Sequence, residues 1–428
     1  MDKTIDQTRS ILLQPYNPST WLIRAGKLSH LDYPELAVGD ADKAARLCET
    51  MLAFMESRKE EGWMLGRGRG FWMRNEEEIA LKEQEQQQEE LRTALKALKE
   101  EAQALQTADL RDTMAQEGKY VPQMYPWLEK KHQMRSEEVI KEINRGIRRG
   151  MRVTSNKHPW IEARRCCFDE AEEEDGENDA LGIFAIRDIP AHTIVLVDRT
   201  SLFGCVGSED GGKAYGCTKS VHPNLKKDNK TMNLSWVRER GGSYATQTTL
   251  FCRVLLACVQ RKVESPLDLP EIARLTPTYH QQHTRSFRME SDIIVPNEAL
   301  QQFGIDIFAD HRFDTWVLFT LRARIKNNIW TNATSAGLHP IFSLFNHSCE
   351  PNVDWMMDKE DHLILHIRSF RDIKAGEQLF VEYDAYAHDK PLASRRARLR
   401  SWFPCCNCSR CLREEREAAE AKDAEDVS

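Results

Sequence analysis

Residues 343–352 read SLFNHSCEPN: an apolar lead-in (HPIFSLF, 339–345) runs straight into Asn346, His347, Ser348 and Cys349, then Glu-Pro-Asn. Polar and thiol groups packed so closely after a buried-looking run admit three readings. The stretch is a turn that ends a strand, half of a metal site, or one wall of a cofactor pocket. What decides is whether other segments supply the missing half.

One such segment is FPCCNCSRC (403–411). Cys406, Cys408 and Cys411 have metal-ligand spacing, and a structural zinc site takes four ligands in a tetrahedron. Cys405 could fill the vacancy by sequence, but adjacent residues rarely both reach one ion without strain. Cys349 is the better candidate. The chain has twelve cysteines, not spread like a disulfide framework, so in a reducing compartment this cluster reads as metal-binding.

At 428 residues the chain exceeds one ordinary core, and two or more domains are expected. Sixty basic residues against 67 acidic ones leave a net charge of −7, with no general pull toward nucleic acid or anionic lipid. MDKTIDQTRSILLQ at the N-terminus lacks an apolar core of signal-peptide length. The longest apolar runs (IVLV, VLLACV) fall far short of a membrane span, so an intracellular protein, nuclear or cytoplasmic, is expected.

Residues 17–55 predict two helices joined at Asp32-Tyr33-Pro34. Trp21, Ala25 and Leu28 share one face, and Ala37, Ala41, Ala44 and Cys48 share the facing one. The pair resembles a single tetratricopeptide repeat, with Arg24 where that pattern has Leu and no second copy following. A lone repeat must pack on something else. After the Gly/Arg turn GRGRGFWMR (66–74) comes a polar helix over roughly 76–116. Its stripe of Leu91, Leu95, Leu98, Ala102 and Leu105 is too short for a coiled coil. RSEEVIKEINRGIRRGMR (135–152) predicts another helix ending near Gly150, its basic last turn suited to the helix dipole. Beyond the acidic loop 169–180 the texture turns to strands: LGIFAIRDIPAHTIVLVD, then HLILHIRSFRDIKAGEQLFVEYD, with TWVLFTLRARIKNNIW reading as a helix between them. Cys166 and Cys167 read as strand residues, Cys205 and Cys217 as unliganded, Trp355 and Met356 as core, and Asn352 as a turn residue.

NHSCEPN, then GEQLFVEYD, then CxCxxC after a short helix resemble the C-terminal half of a SET domain with its post-SET zinc motif. GIFAIRDIPAHTIV resembles the domain's first strands. Arg324, Ile325 and Asn328 match the R-I-x-x-N that precedes SLxNHSCxPN in the branch joined to MYND fingers, although no MYND finger is recognisable here. The resemblance implies an α+β chain with a β-rich SET domain of small sheets, a pseudoknot-like C-terminal threading, a helical insert and an all-α N-terminal region. The boundaries read as a helical hairpin (1–75), a helical linker region (76–157), the SET domain (158–388, insert about 221–315), the post-SET motif (389–412) and an acidic tail (413–428).

The implied activity is transfer of a methyl group from S-adenosylmethionine to a lysine side chain of a protein; a catalytically silent SET-fold scaffold is the alternative. Tyr383 matches the catalytic tyrosine. Asn346 and His347 match the pair whose side chain and backbone hold the cofactor, Gly182 the glycine of close approach, and Phe403 the aromatic that closes over the adenine. Asn328 adds a hydrogen bond, and Tyr386 is a candidate channel wall. Zn2+ is expected on Cys349, Cys406, Cys408 and Cys411. A protein substrate and a partner for the N-terminal helices are expected, with no membrane and no direct nucleic-acid binding. Two departures bear on this. Ala180-Leu181-Gly182 replaces the usual Gly-x-Gly, and the extra residue in FPCCNCSRC leaves Cys405 against Cys406 open.

Overall fold

A computed structural model describes residues 2–66, 86–87, 89–104, 119–151, 159–166, 180–205, 234, 236–237, 240, 244–277, 279, 285–331, 335–358, 361, 363–400 and 402–426. The Gly/Arg turn beyond residue 66, the ends of the 76–116 helix, the acidic loop up to residue 179, Cys167, Cys217 and the start of the insert lie outside them. The chain forms two compact units: residues 1–120 with 285–316, and residues 121–284 with 317–428. In chain order the described strands are β1 (Lys119–Tyr120), β2 (Ile161–Arg165), β3 (Leu181–Ala185), β4 (Ile194–Arg199), β5 (Leu202–Cys205), β6 (Arg285–Ser286), β7 (Trp330–Thr331), β8 (Ser335–Leu338), β9 (Asn346–His347), β10 (Val353–Met357), β11 (Ile364–Ser369) and β12 (Gln378–Val381).

Among its described residues the first unit is helical apart from the short β1–β6 ladder. Helix Pro18–His30 starts where Asn17 accepts a hydrogen bond from the Ser19 N–H and Pro18 supplies a preset φ. It ends before Asp32, which turns the chain at φ 62°, and the next helix begins at Pro34. Both expected small-residue faces are buried, around Trp21, Ala25, Ala41 and Ala44, with Ile11 of the additional helix Asp2–Leu13 joining them. Of the polar helix, residues 86–87 and 89–104 are described and helical. Leu95 and Ala102 are buried whereas Leu91 is exposed.

Arg24, out of place for a repeat, has a specific role here. Its guanidinium grips Asp40 (2.6 and 2.8 Å) and Asp314 (2.8 and 2.8 Å), all three buried. Lys43 stands 3.6 Å from Asp314 and 4.3 Å from the Trp21 ring centroid. Burial alone would raise the Asp314 carboxyl, but Arg24 and Lys43 outweigh it and hold the group well below the usual range.

Among its described residues the second unit carries three small sheets, ordered β10-β11-β4, β2-β3-β12-β9 and β5-β8-β7. Their inward residues (Ile183, Val195, Leu365, Ile367, Leu379) form one core. Helix Glu137–Met151, read as part of a linker, adds Ile140, Ile143 and Ile147 to that core. Asn144 on the same helix exchanges two hydrogen bonds with the Ala163 backbone (3.0 and 2.8 Å), satisfying the edge of β2. Strand β12 lies between β3, antiparallel, and β9, parallel, which brings the C-terminal segment alongside the NHSC stretch. The reading of 315–330 as one helix is corrected: the helix stops at Lys326, and Trp330–Thr331 is a strand on β8. Met356 is also corrected, being 43% exposed, while Trp355 packs on the core. No described helix is long and apolar enough to cross a membrane.

Candidate active site and metal centre

The β9–β12 pairing sets Asn346 opposite Phe380 and His347 opposite Val381. Asn352, expected only to turn the chain, clamps this pairing. Its Nδ2 donates to the Gln378 carbonyl (2.9 Å) and its Oδ1 accepts the Phe380 N–H (2.8 Å). Asn346 reaches the other way, donating to the Leu181 carbonyl at 2.9 Å. Three separate segments of sequence thereby meet at one cavity of about 1360 Å³, with Asn328, Asn346, His347, Tyr383, Trp402 and Phe403 in its wall.

Tyr383 follows β12 directly. Its hydroxyl donates to the Phe345 carbonyl at 2.9 Å, and burial pushes its pKa well above the ordinary phenol value, so it remains a protonated donor at neutral pH. Around its ring stand His347 (centroids 5.3 Å), Trp402 (5.6 Å) and Phe403 (6.3 Å). The imidazole of His347 has its own partners: Nδ1 accepts the Tyr383 backbone N–H at 3.1 Å, and Nε2 lies 3.3 Å from the Cys349 sulfur. Burial lowers its pKa to about 4, so the ring is neutral at pH 7. With Nδ1 accepting, the ring proton sits on Nε2 and points at the thiol.

Behind that thiol the sulfurs of Cys349, Cys406, Cys408 and Cys411 lie within 4.8 Å of one another. Cys349 and Cys406 are 3.9 Å apart, Cys349 and Cys411 3.6 Å. A tetrahedron with Zn–S bonds of about 2.3 Å has edges of about 3.8 Å, so the four thiols fit a zinc ion. The hydrogen bond with Cys406 favours ionisation of Cys349, but its bond to Cys408 and burial prevail and raise its pKa to about 12. Cys405 is exposed and stands outside this cluster. Cys411 sits in the first turn of helix Ser409–Asp426, which begins within the motif read as post-SET.

Of the other expected site residues, Asn328 lines the cavity and ties its own helix end by donating to the carbonyls of Arg324 (2.6 Å) and Thr276 (3.2 Å). Phe403 lines the cavity beside His347, at 5.6 Å between centroids. Gly182 is absent from the described wall, where Ala180 and Leu181 stand instead. A Cβ at Gly182 would come within 2.2 Å of the Gln378 amide, so the close approach is to a side chain on β12. Tyr386 is 80% exposed and also absent from that wall. Residues not singled out in the sequence are Trp402, Arg395 and Asp198. Asp198 takes the N–H groups of Ile341 and Phe342 on one oxygen (2.9 and 2.7 Å), fixing the turn that enters SLFNHSC. Its signal was parity, since it shares a strand face with buried Leu196.

The SET-domain family model matches residues 180–384. Histone-lysine N-methyltransferase SET5 of Yarrowia lipolytica is 43% identical over 79 residues, 18% of this chain and 17% of that protein. Protein-lysine N-trimethyltransferase SMYD5 of Homo sapiens is 33% identical over 79 residues, 18% of this chain and 19% of that protein. The chain thus matches under a fifth of the length of these curated relatives. Among solved structures, the SET domain of LSMT bound to lysine and AdoHcy aligns at TM-score 0.34 and 14% identity, over 61% of this chain and 56% of that one. Strand order, NHSC loop, Tyr383 and cysteine cluster occupy the matched segment and its C-terminal extension, and residues 180–384 carry a SET domain.

Proposed function

We propose that the chain is a protein-lysine N-methyltransferase that uses S-adenosylmethionine, with Zn2+ held by Cys349, Cys406, Cys408 and Cys411. The observation that carries this reading is the convergence of Asn328, Asn346, His347, Tyr383 and Phe403 on one cavity whose wall also takes in Cys406 and Cys408 of the four-thiol cluster. Bound S-adenosylmethionine supplies a methyl group already activated on a sulfonium, so the protein's contribution is alignment and exclusion of water. Tyr383 offers a fixed phenol oxygen beside the position of the incoming amine. Burial keeps that phenol neutral, and the aromatic wall of Tyr383, Trp402 and Phe403 disfavours a charged ammonium, easing deprotonation of the substrate lysine. Asn346 and the His347 backbone would hold the cofactor, a role their position in the cavity wall supports. The His347 imidazole is engaged elsewhere, which fits a backbone role for that residue. A protein presenting a lysine is the substrate class, and a nuclear or cytoplasmic location suits that chemistry.

Calorimetric titration with S-adenosylmethionine, followed by transfer of labelled methyl groups to a proteome extract, tests the proposal. Binding and transfer support it. Binding without transfer to any protein favours the silent scaffold, and no binding by zinc-loaded protein overturns the assignment of the cavity.

A further inference from the structure

Helix Leu392–Leu399 runs behind the cysteine cluster and carries a charged side chain where a core residue would be expected. Arg395 is 1% exposed. Burying a guanidinium is costly unless its hydrogen bonds and charge are matched. Its Nη1 donates to the Lys390 carbonyl at 2.7 Å. Its Nη2 is shared between Glu414 Oε2 at 2.6 Å and the sulfur of Cys411 at 3.6 Å. Glu414 in turn accepts Arg410 Nε at 2.9 Å, so it lies between two arginines. Arg410 also holds the Cys349 carbonyl (3.1 Å), and Arg396 holds that of Cys406 (3.3 Å) while pairing with Glu415.

The charges of this shell can be summed. Four thiolates around a divalent ion carry a net charge of −2. Arg396 and Glu415 cancel. Arg395, Arg410 and Glu414 together leave one positive charge, and within that group it is Arg395 that donates to a ligand sulfur. A hydrogen bond to a thiolate withdraws charge from it, and donors outside the ligand shell commonly decide how tightly a metal is kept.

We propose that Arg395 is a positioning residue of the metal centre: through its hydrogen bond to Cys411 it offsets the negative charge of the four-thiolate site and slows loss of the metal. This rests on the zinc reading above. A competing account makes Arg395 a clasp that joins its helix to helix Ser409–Asp426 through Glu414. The two accounts separate at Glu414. Without that carboxylate the clasp loses its ion pair, but the arginine still faces the sulfur.

The test uses the full chain loaded with zinc, and with Co2+ in parallel. Zinc content is measured first, then the rate of metal transfer to an excess of a chromophoric chelator. Arg395→Met is expected to release metal about 10–100-fold faster and to move the sulfur-to-cobalt charge-transfer band to lower energy. Glu414→Gln is expected to leave band and release rate close to wild type, and Arg395→Lys to fall between. The double variant Arg395→Met/Glu414→Gln also removes the carboxylate that the single change leaves to Arg410 alone, so it reports on the sulfur if Arg395→Met does not fold. Wild-type protein that binds no zinc overturns the metal reading and this proposal with it. Zinc-loaded wild type with unchanged release and band position in Arg395→Met, or in the double variant, overturns the role of Arg395 alone. Equal acceleration in Glu414→Gln and Arg395→Met, with no band shift, establishes the clasp instead.

Discussion

The backbone N–H of Tyr383 donates to His347 Nδ1 at 3.1 Å, and the other nitrogen of that ring stands 3.3 Å from the Cys349 sulfur. One imidazole therefore links the candidate catalytic tyrosine to the cysteine cluster. Geometry at the hydroxyl of Tyr383 is set from the cysteine cluster as well as from β12.

Tyr383→Phe removes the hydroxyl and leaves the Phe345 carbonyl without its 2.9 Å donor. Loss of one neutral hydrogen bond costs about 1 kcal/mol of stability. Turnover is expected to fall about 100- to 1000-fold, as for other removed donors at reacting centres, with cofactor affinity little changed. Steady-state rates together with calorimetry check this; near-normal rates would exclude Tyr383 as the catalytic residue.

Single-turnover methyl transfer should climb with pH as the substrate amine loses its proton. Burial raises the Tyr383 phenol above its ordinary value of 10.0, so it keeps its proton throughout that climb. No descending limb is expected below about pH 10. A fall that begins near pH 8 would mean that a different group must stay protonated.

Asp198 provides a pH test of stability. Burial raises its carboxyl from 3.8 to about 6, against the pull of the Phe342 and Ile341 N–H groups. Between those values the folded state takes up a proton before the unfolded state does. Its contribution therefore grows as pH falls through 6 toward 3.8, and at pH 8 the charged form costs about 3 kcal/mol. Both N–H groups bond one oxygen, which an amide can replace. Asp198→Asn should stabilise the protein most at pH 8, and the difference from wild type should shrink by pH 4. Denaturant melts across that range measure it, and a constant difference would refute it.

Arg24→Met leaves Asp40 and Asp314 buried with Lys43 alone nearby. Breaking a buried pair from one side costs about 3–5 kcal/mol. Unfolding of the helical unit, followed by circular dichroism, should shift to lower denaturant by that amount. A change below 1 kcal/mol would show that the pair is replaceable.

What was legible in the sequence was chemistry carried by short stretches. NHSC, VEYD and CxCxxC each hold their meaning locally, and counting thiols against a tetrahedron was enough to single out Cys349. Asp314 could not be found this way. Arg24 was visibly foreign to its repeat, yet its second carboxylate lies 290 positions away. The 137–151 helix was read from its basic last turn, while the isoleucines that bury it sit on the opposite face. Gly182 was matched by motif, and only the packing of β3 against β12 brings it beside Gln378. Arg395 stood in an arginine-rich run where no pattern distinguishes a buried guanidinium from its exposed neighbours.

The ion pair between Arg24 and Asp314 also bears on synthesis. Chains emerge from the ribosome at about 5–20 residues per second, so about 15–60 s separate the two partners. Through that interval the nascent helical hairpin carries Arg24 and Lys43 against Asp40, with one carboxylate still to be translated. The unit built first in sequence is thus completed late, and a chain stalled before residue 314 would present chaperones with a hairpin whose interior charge is unbalanced.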